Sequence, residues 1–225
     1  MRMPSKWKNK IFMSSLFLHR LIARKMGRDI FIVHPSAHKL SSYQPRKATL
    51  ELASREIYHY NIEGSTAELG VYRGDFAKVI NHFFPDKKLY LFDTFEGFHV
   101  NDAKVEREKN FSKATQDFSE TSDKLVLSKM EHPENCIIRK GWFPETTQGI
   151  DDKFCFVSLD ADLYQPMKAG LEFFYPRLVH GGMIILHDFN NRWPNSDYTG
   201  VRQAVKEFCD ENNIGYVCLC DIEGS

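Results

Sequence analysis

Thr66-Ala67-Glu68-Leu69-Gly70-Val71-Tyr72-Arg73-Gly74-Asp75 is a short apolar run that closes on an acid and two glycines. Followed by the helical spacing of Phe76 to Phe84, it reads as strand, turn and helix. Glycine at 70 and 74 lets the backbone turn tightly and approach a ligand. On its own an acid with two glycines marks many strand-to-helix turns, some of them purely steric. The next apolar run, Leu89-Tyr90-Leu91-Phe92-Asp93, sharpens it. It ends in an acid 25 residues after Glu68, where an adjacent parallel strand would offer a carboxylate to two vicinal ribose hydroxyls.

Outward from this pair, short apolar runs alternate with amphipathic stretches, the mark of βαβ units and an α/β, Rossmann-like, mostly parallel sheet with helices on both faces. Strands are expected at Thr66 to Leu69, Lys88 to Phe92, Cys136 to Lys140, Phe154 to Leu159, Met183 to Leu186 and Gly215 to Cys220. Helices are expected at Lys47 to Tyr60, Phe76 to Phe84, Ser119 to Met130, Pro166 to Tyr175 and Gly200 to Asn212, with Ile30 to Pro45 as a connecting loop. The polar, aperiodic stretch 97–118 follows the second strand and is a candidate lid. Some sheets of this type finish with an antiparallel hairpin. Here only its first strand is expected, so the final hairpin is incomplete and another segment or subunit should fill the slot. The expected organisation is a basic segment 1–45 and a catalytic domain 46–225.

Thirty Lys+Arg offset thirty Asp+Glu among 225 residues, so nucleic acid is a poor candidate partner. No apolar run approaches a bilayer's thickness, so no transmembrane segment is expected. Five cysteines without a CxxC pair point to reduced thiols and a cytoplasmic location. Residues 1–28 carry eight Lys/Arg and no acid, interleaved with Trp7, Ile11, Phe12, Leu16, Leu18, Leu21 and Ile22. This amphipathic stretch suits packing on its own domain or on a second subunit, hence a homo-oligomer, or peripheral contact with an anionic membrane.

A pyrophosphate needs several free N–H groups at a glycine-dense helix start. This turn has Val71, Tyr72 and Arg73 between its glycines and Glu68 before them, which suits S-adenosylmethionine, a sulfonium without phosphate, better than NAD. At the other strand ends Asp160, Asp162, His187 and Asp188 converge on one edge. Clustered carboxylates repel unless protonated or neutralised, so a divalent cation, Mg²⁺ or Mn²⁺, is a reasonable occupant.

Four blocks in order resemble the macrocin O-methyltransferase (TylF-type) family. They are Ala67 to Gly74, Phe92-Asp93-Thr94-Phe95-Glu96-Gly97-Phe98, Lys140-Gly141-Trp142-Phe143-Pro144-Glu145-Thr146, and Leu159-Asp160-Ala161-Asp162-Leu163-Tyr164 running into Tyr175-Pro176-Arg177-Leu178 and Gly181-Gly182. The resemblance spans roughly residues 50 to 220 and implies a class I S-adenosylmethionine-dependent methyltransferase. It implies cofactor binding by the first two blocks, including Glu68, Gly70, Tyr72, Gly74, Asp93 and Thr94, and a magnesium ion held by acids after the fourth and fifth strands. It further implies methylation of a sugar hydroxyl on a secondary metabolite or glycan, the acceptor being a small molecule.

The family typically shows two adjacent acids after the fifth strand, and here the first is His187, which suits manganese, iron or zinc better than magnesium. Asp160, Asp162 and Asp188 are the candidate metal ligands, with Asp160 also beside the cofactor, and Asp162 and His187 are the candidate bases. Gly141 and Trp142 are expected to line the adenine pocket; Trp142 and Phe143 suit core packing as well. His99 reads as a solvated loop residue. Two alternatives stay open: a metal-independent N- or C-methyltransferase, and a catalytically silent nucleotide-binding scaffold.

Overall fold

A computed structural model describes residues 43–189 and 199–219. Five strands, β1 (Ser65–Leu69), β2 (Leu89–Asp93), β3 (Cys136–Lys140), β4 (Phe154–Leu159) and β5 (Leu178–Leu186), form one sheet in the order β3-β2-β1-β4-β5, each pair parallel. The order reverses between β1 and β4, so their carboxyl ends diverge into a crevice, the usual ligand position of an open parallel sheet. β1 and β4 are buried along their whole length and β2 along all but its last residue, and β2 and β4 are Leu- and Phe-rich because both sheet faces are covered.

Among the described residues the α-helices are, in chain order, α1 (Tyr43–His59), α2 (Ala77–Phe83), α3 (Val100–Glu108), α4 (Asp123–Leu127), α5 (Tyr164–Phe174) and α6 (Gly200–Asn212). Side chains alternate across a strand, and the core therefore divides in two. Leu69, Phe92, Val157 and Leu159 pack on one face with Met167 and Phe174 of α5 and Val205 of α6. Leu91, Phe156 and Ile185 pack on the other with Leu50 and Ile57 of α1 and Ile80 of α2. Burying each such side chain is worth about 1.5–3 kcal/mol, so the two faces together hold the strand ends rigidly.

Several boundaries differ from expectation. The stretch 97–118 contains α3, which buries Asp102, Ala103 and Glu106. Glu106 accepts the Tyr164 N–H at 3.0 Å and so caps α5, whose preceding Leu163 has no capping side chain. Only Asp123–Leu127 of the expected Ser119 to Met130 helix is helical, because Ser122 Oγ accepts the Leu125 N–H and sets a late start. β5 starts at Leu178 rather than Met183, through a register shift against β4. Residues 43–45 begin α1 instead of closing a loop.

The expected strand from Gly215 is not formed over the described residues 215–219. Asn213, left-handed at φ 52°, ends α6, and residues 215–218 are exposed without a ladder partner. The basic stretch 1–28 lies outside the described residues. No described helix is long and apolar enough to cross a membrane.

Candidate active site

A cavity of about 370 Å³ opens at the carboxyl ends of the strands, lined by Glu68 to Arg73, Asp93, Thr94, Gly141, Trp142, Asp160 to Leu163, His187 and Asp188 among others. The ladder runs one residue past each strand and fixes this rim. Gly70 N–H donates to Phe92 O (2.9 Å), Gly141 N–H to Asp93 O (3.0 Å), Asp160 N–H to Leu69 O (2.9 Å) and His187 N–H to Leu159 O (2.9 Å).

On the β1–β2–β3 side the carboxylate of Asp93 is turned into the first turn. Its Oδ2 accepts the Val71 and Tyr72 N–H groups at 2.8 and 2.7 Å, and its Oδ1 accepts the Phe95 N–H at 2.6 Å. Asp93 lines the cavity and satisfies three backbone donors of the turn, in addition to the ribose contact expected of it. Gly70, at φ 84°, is required by packing: an added Cβ would lie 1.9 Å from Asp160 O. Thr94 Oγ1 donates to Gly97 O at 2.6 Å and holds the following turn. Gly74 has φ 76° and abuts Val126 of α4.

The far wall is aromatic. Tyr72 packs edge-on against Phe118, which meets Phe98 in the same way. Trp142 is stacked on His99, ring centroids 4.6 Å apart at 15°, and its Nε1 donates to both oxygens of Asp102 at 3.2 and 3.1 Å. Burial pushes the Asp102 carboxyl up to about 6 despite that hydrogen bond. His99 is thus a half-buried cavity residue, not a solvated one; its ring is held by Trp142. Phe143 turns into the core, stacking on Phe174.

On the β4–β5 side the acids gather as expected. His187 Nδ1 lies 2.9 Å from Asp160 Oδ1 and 3.0 Å from Asp188 Oδ2. Asp160, His187 and Asp188 each present a ligand atom within 4.8 Å of the others. Asp162 is not in that trio; it shares a hydrogen bond with Asp188. Burial, with the neighbouring Asp188 and Asp160 charges, pushes its carboxyl well above the usual range. Asp162 and Asp188 are left-handed (φ 57° and 61°), as is Tyr72 across the cavity (47°). Each such residue costs of order 1 kcal/mol, a strain that concentrates at functional sites.

Two residues that the sequence reading passed over complete the centre. Arg46 of α1 is 2% exposed; its Nη1 donates to Asp160 Oδ2 at 2.9 Å and its Nη2 to Ser158 Oγ at 2.8 Å. Although burial alone would raise Asp160, Arg46 and His187 hold it well below the usual carboxylate range. Arg46 was visible as the charged member of the stripe Arg46, Leu50, Ala53, Ile57, where helical spacing demands a buried residue. Asp102 sits in a stretch without periodicity, and nothing in the sequence marked it. Beneath both halves lies Glu68, 1% exposed, with its Oε2 unpartnered and its carboxyl raised chiefly by burial.

Residues 13–222 match the model of the macrocin-O-methyltransferase (TylF) family. An 8-demethyl-8-(2,3-dimethoxy-alpha-L-rhamnosyl)-tetracenomycin-C 4'-O-methyltransferase of Streptomyces olivaceus is 25% identical over 179 residues, covering 74% of this chain and 67% of that protein. A demethyldecarbamoylnovobiocin O-methyltransferase of Streptomyces niveus is 22% identical over 210 residues, or 86% of this chain and 77% of that protein. Among solved structures, the O-methyltransferase NovP superposes with a TM-score of 0.60 at 20% identity, covering 80% of this chain and 77% of its own. The calicheamicin methyltransferase CalS11 gives 0.58 at 16%, covering 93% and 87%. At these identities the structural likeness speaks for the fold.

Proposed function

Because the chain belongs to the macrocin-O-methyltransferase family and is an S-adenosylmethionine-dependent methyltransferase, we propose that it methylates a hydroxyl oxygen on a sugar of a secondary metabolite or glycan. The sugar follows the relative from Streptomyces olivaceus, a 4'-O-methyltransferase of a rhamnosyl-tetracenomycin. What carries the oxygen chemistry is the meeting of Asp160, Asp162, His187 and Asp188 on the rim of the cavity that the glycine turn also lines.

The transfer breaks the bond from sulfonium sulfur to methyl carbon, forms the bond from that carbon to oxygen, and sends the hydroxyl proton to a base. An alcohol is a feeble nucleophile at neutral pH, so the protein must align it and help it lose that proton. Asp93 holds the β1 turn in the shape that faces the nucleoside. Glu68, with one oxygen unpartnered, is placed to accept from the amino group of the methionine moiety. Two side chains can take the proton. His187 is one, its imidazole lying on the cavity rim with Nδ1 between the carboxylates of Asp160 and Asp188. Asp162 is the other, if the imidazole is engaged by a cation.

The donor set fits a divalent ion. Adjacent ligands of an octahedral ion with bonds of about 2.1 Å lie about 3 Å apart, as Nδ1 of His187 does from both carboxylates. Asp160, His187 and Asp188 would hold it, with the imidazole favouring Mn²⁺ over Mg²⁺. Such an ion would make the acceptor hydroxyl more acidic. One observation favours a metal-independent course instead: Arg46 already neutralises Asp160. Turnover of sugar-bearing acceptors before and after EDTA separates the two. Loss of activity that Mn²⁺ or Mg²⁺ restores is expected, and full turnover in EDTA removes the cation from the scheme.

A further inference from the structure

The buried stripe of α1 carries a charge only at its first member; Ser54, its other polar residue, donates to Glu51 O within the helix. A buried guanidinium is costly to desolvate, and a cation in the first turn opposes the positive end of the helix dipole, with no acid there to offset it. The compensation is tertiary: two hydrogen bonds to Asp160 and Ser158, and the guanidinium carbon 3.9 Å over the Phe76 ring. Ser158 is the cross-strand partner of Glu68 and stands two residues before Asp160. All three therefore belong to the sheet face that α1 covers. Arg46 takes Asp160 Oδ2, and the oxygen left over, Oδ1, is the one that meets His187.

Resting on the metal-assisted chemistry proposed above, we infer that Arg46 is the built-in counter-ion of the acid centre: it turns Asp160 so that Oδ1 alone faces the cation position, and it cancels one negative charge that a divalent ion would otherwise meet. Arg46 is a positioning residue, acting through Asp160. Its two effects separate on substitution. Removing the charge makes the centre a stronger trap for a cation, whereas losing the fixed orientation makes it a poorer catalyst. A helix staple with no electrostatic role would weaken metal binding or leave it unchanged.

The test is a Mn²⁺ titration of the full chain, read from the spin-resonance signal of the free ion, beside calorimetry with S-adenosylmethionine and steady-state kinetics. Arg46→Gln drops the charge and is too short to span Asp160 and Ser158 together; Arg46→Lys keeps the charge and drops the planar fork. Arg46→Gln is expected to bind Mn²⁺ at least about tenfold more tightly than the parent, since a unit charge this near a divalent ion is poorly screened. Its cofactor Kd should stay within about threefold and its kcat fall at least about tenfold at unchanged acceptor KM, the split expected when alignment and not binding is lost. Arg46→Lys should bind Mn²⁺ within about threefold of the parent, because the charge persists.

Mn²⁺ affinity of Arg46→Gln equal to or below that of a parent that does bind the ion overturns the inference and leaves the metal-assisted chemistry standing. No uptake by either protein, with cofactor still bound, overturns both. Should Arg46→Gln lose cofactor binding and with it its fold, Arg46→Lys decides. Unchanged Mn²⁺ affinity with lowered kcat supports the inference, and a shift beyond about tenfold in either direction overturns it.

Discussion

The rim of the sheet is made in two ways on either side of the β1–β4 junction. On the β1–β2 side a single carboxylate, Asp93, closes the turn by accepting N–H groups from residues two to 22 positions away. On the β4–β5 side the charges are held by a partner 114 residues distant, Arg46, and by each other. One half is backbone geometry stabilised by an anion. The other is a knot of side chains whose ionisation depends on what helix α1 brings. Under the proposed function cofactor recognition falls to the first half, which needs a rigid shape, and proton handling to the second, which needs perturbed acids that only long-range packing supplies.

Backbone geometry should be the more brittle. Gly70→Ala sets a Cβ against the Asp160 carbonyl and should cost more than about 3 kcal/mol, seen as loss of the cooperative thermal transition; a well-folded Gly70→Ala protein would show that the two halves do not touch there. Asp93→Asn keeps the size but removes the charge and sets an amide NH₂ against at least one of the three N–H groups. Hydrogen bonds to charged groups contribute about 1.5–3 kcal/mol each, so calorimetry should show S-adenosylmethionine binding weakened by about 100-fold or more. Unchanged affinity would mean that the turn keeps its shape without the anion.

The smallest effect lies on the aromatic wall. The Asp102 carboxyl is raised from 3.8 to about 6, so its ionised form is the one folding disfavours. The penalty is absent below about pH 4, accrues as pH rises toward 6 and is complete above it. Asp102→Asn should therefore stabilise the fold at pH 8 by about 1–2 kcal/mol, discounted for the water in the cavity, and by almost nothing at pH 4. Thermal melts at the two pH values check the sign; a larger gain at pH 4 would contradict the burial argument.

The same contrast governs what could be read from the chain. β1, β2, β3 and β4, the glycine turn and the acids at their ends were legible because period and local chemistry coincide there. Asp160, Asp162, His187 and Asp188 could be placed on one edge from strand ends alone. Their hydrogen bonding could not, since the Asp162–Asp188 contact and the hold of Arg46 on Asp160 are tertiary. The strand expected from Gly215 failed for a related reason: Val217 and Leu219 carry the local propensity, but a strand exists only where a neighbour offers a ladder. The bonds by which Asp93 closes the β1 turn were not legible, because free N–H groups in a turn leave no trace in residue type.

Asp188→Asn tests the division between the halves most directly, by calorimetry with S-adenosylmethionine and single-turnover methyl transfer on the same sample. The account predicts a cofactor Kd within about threefold of the parent and methyl transfer slowed at least about 10³-fold, as expected when a group acting only on the reacting centre is lost. Cofactor binding lost in step with transfer, or transfer at the parental rate, would contradict it.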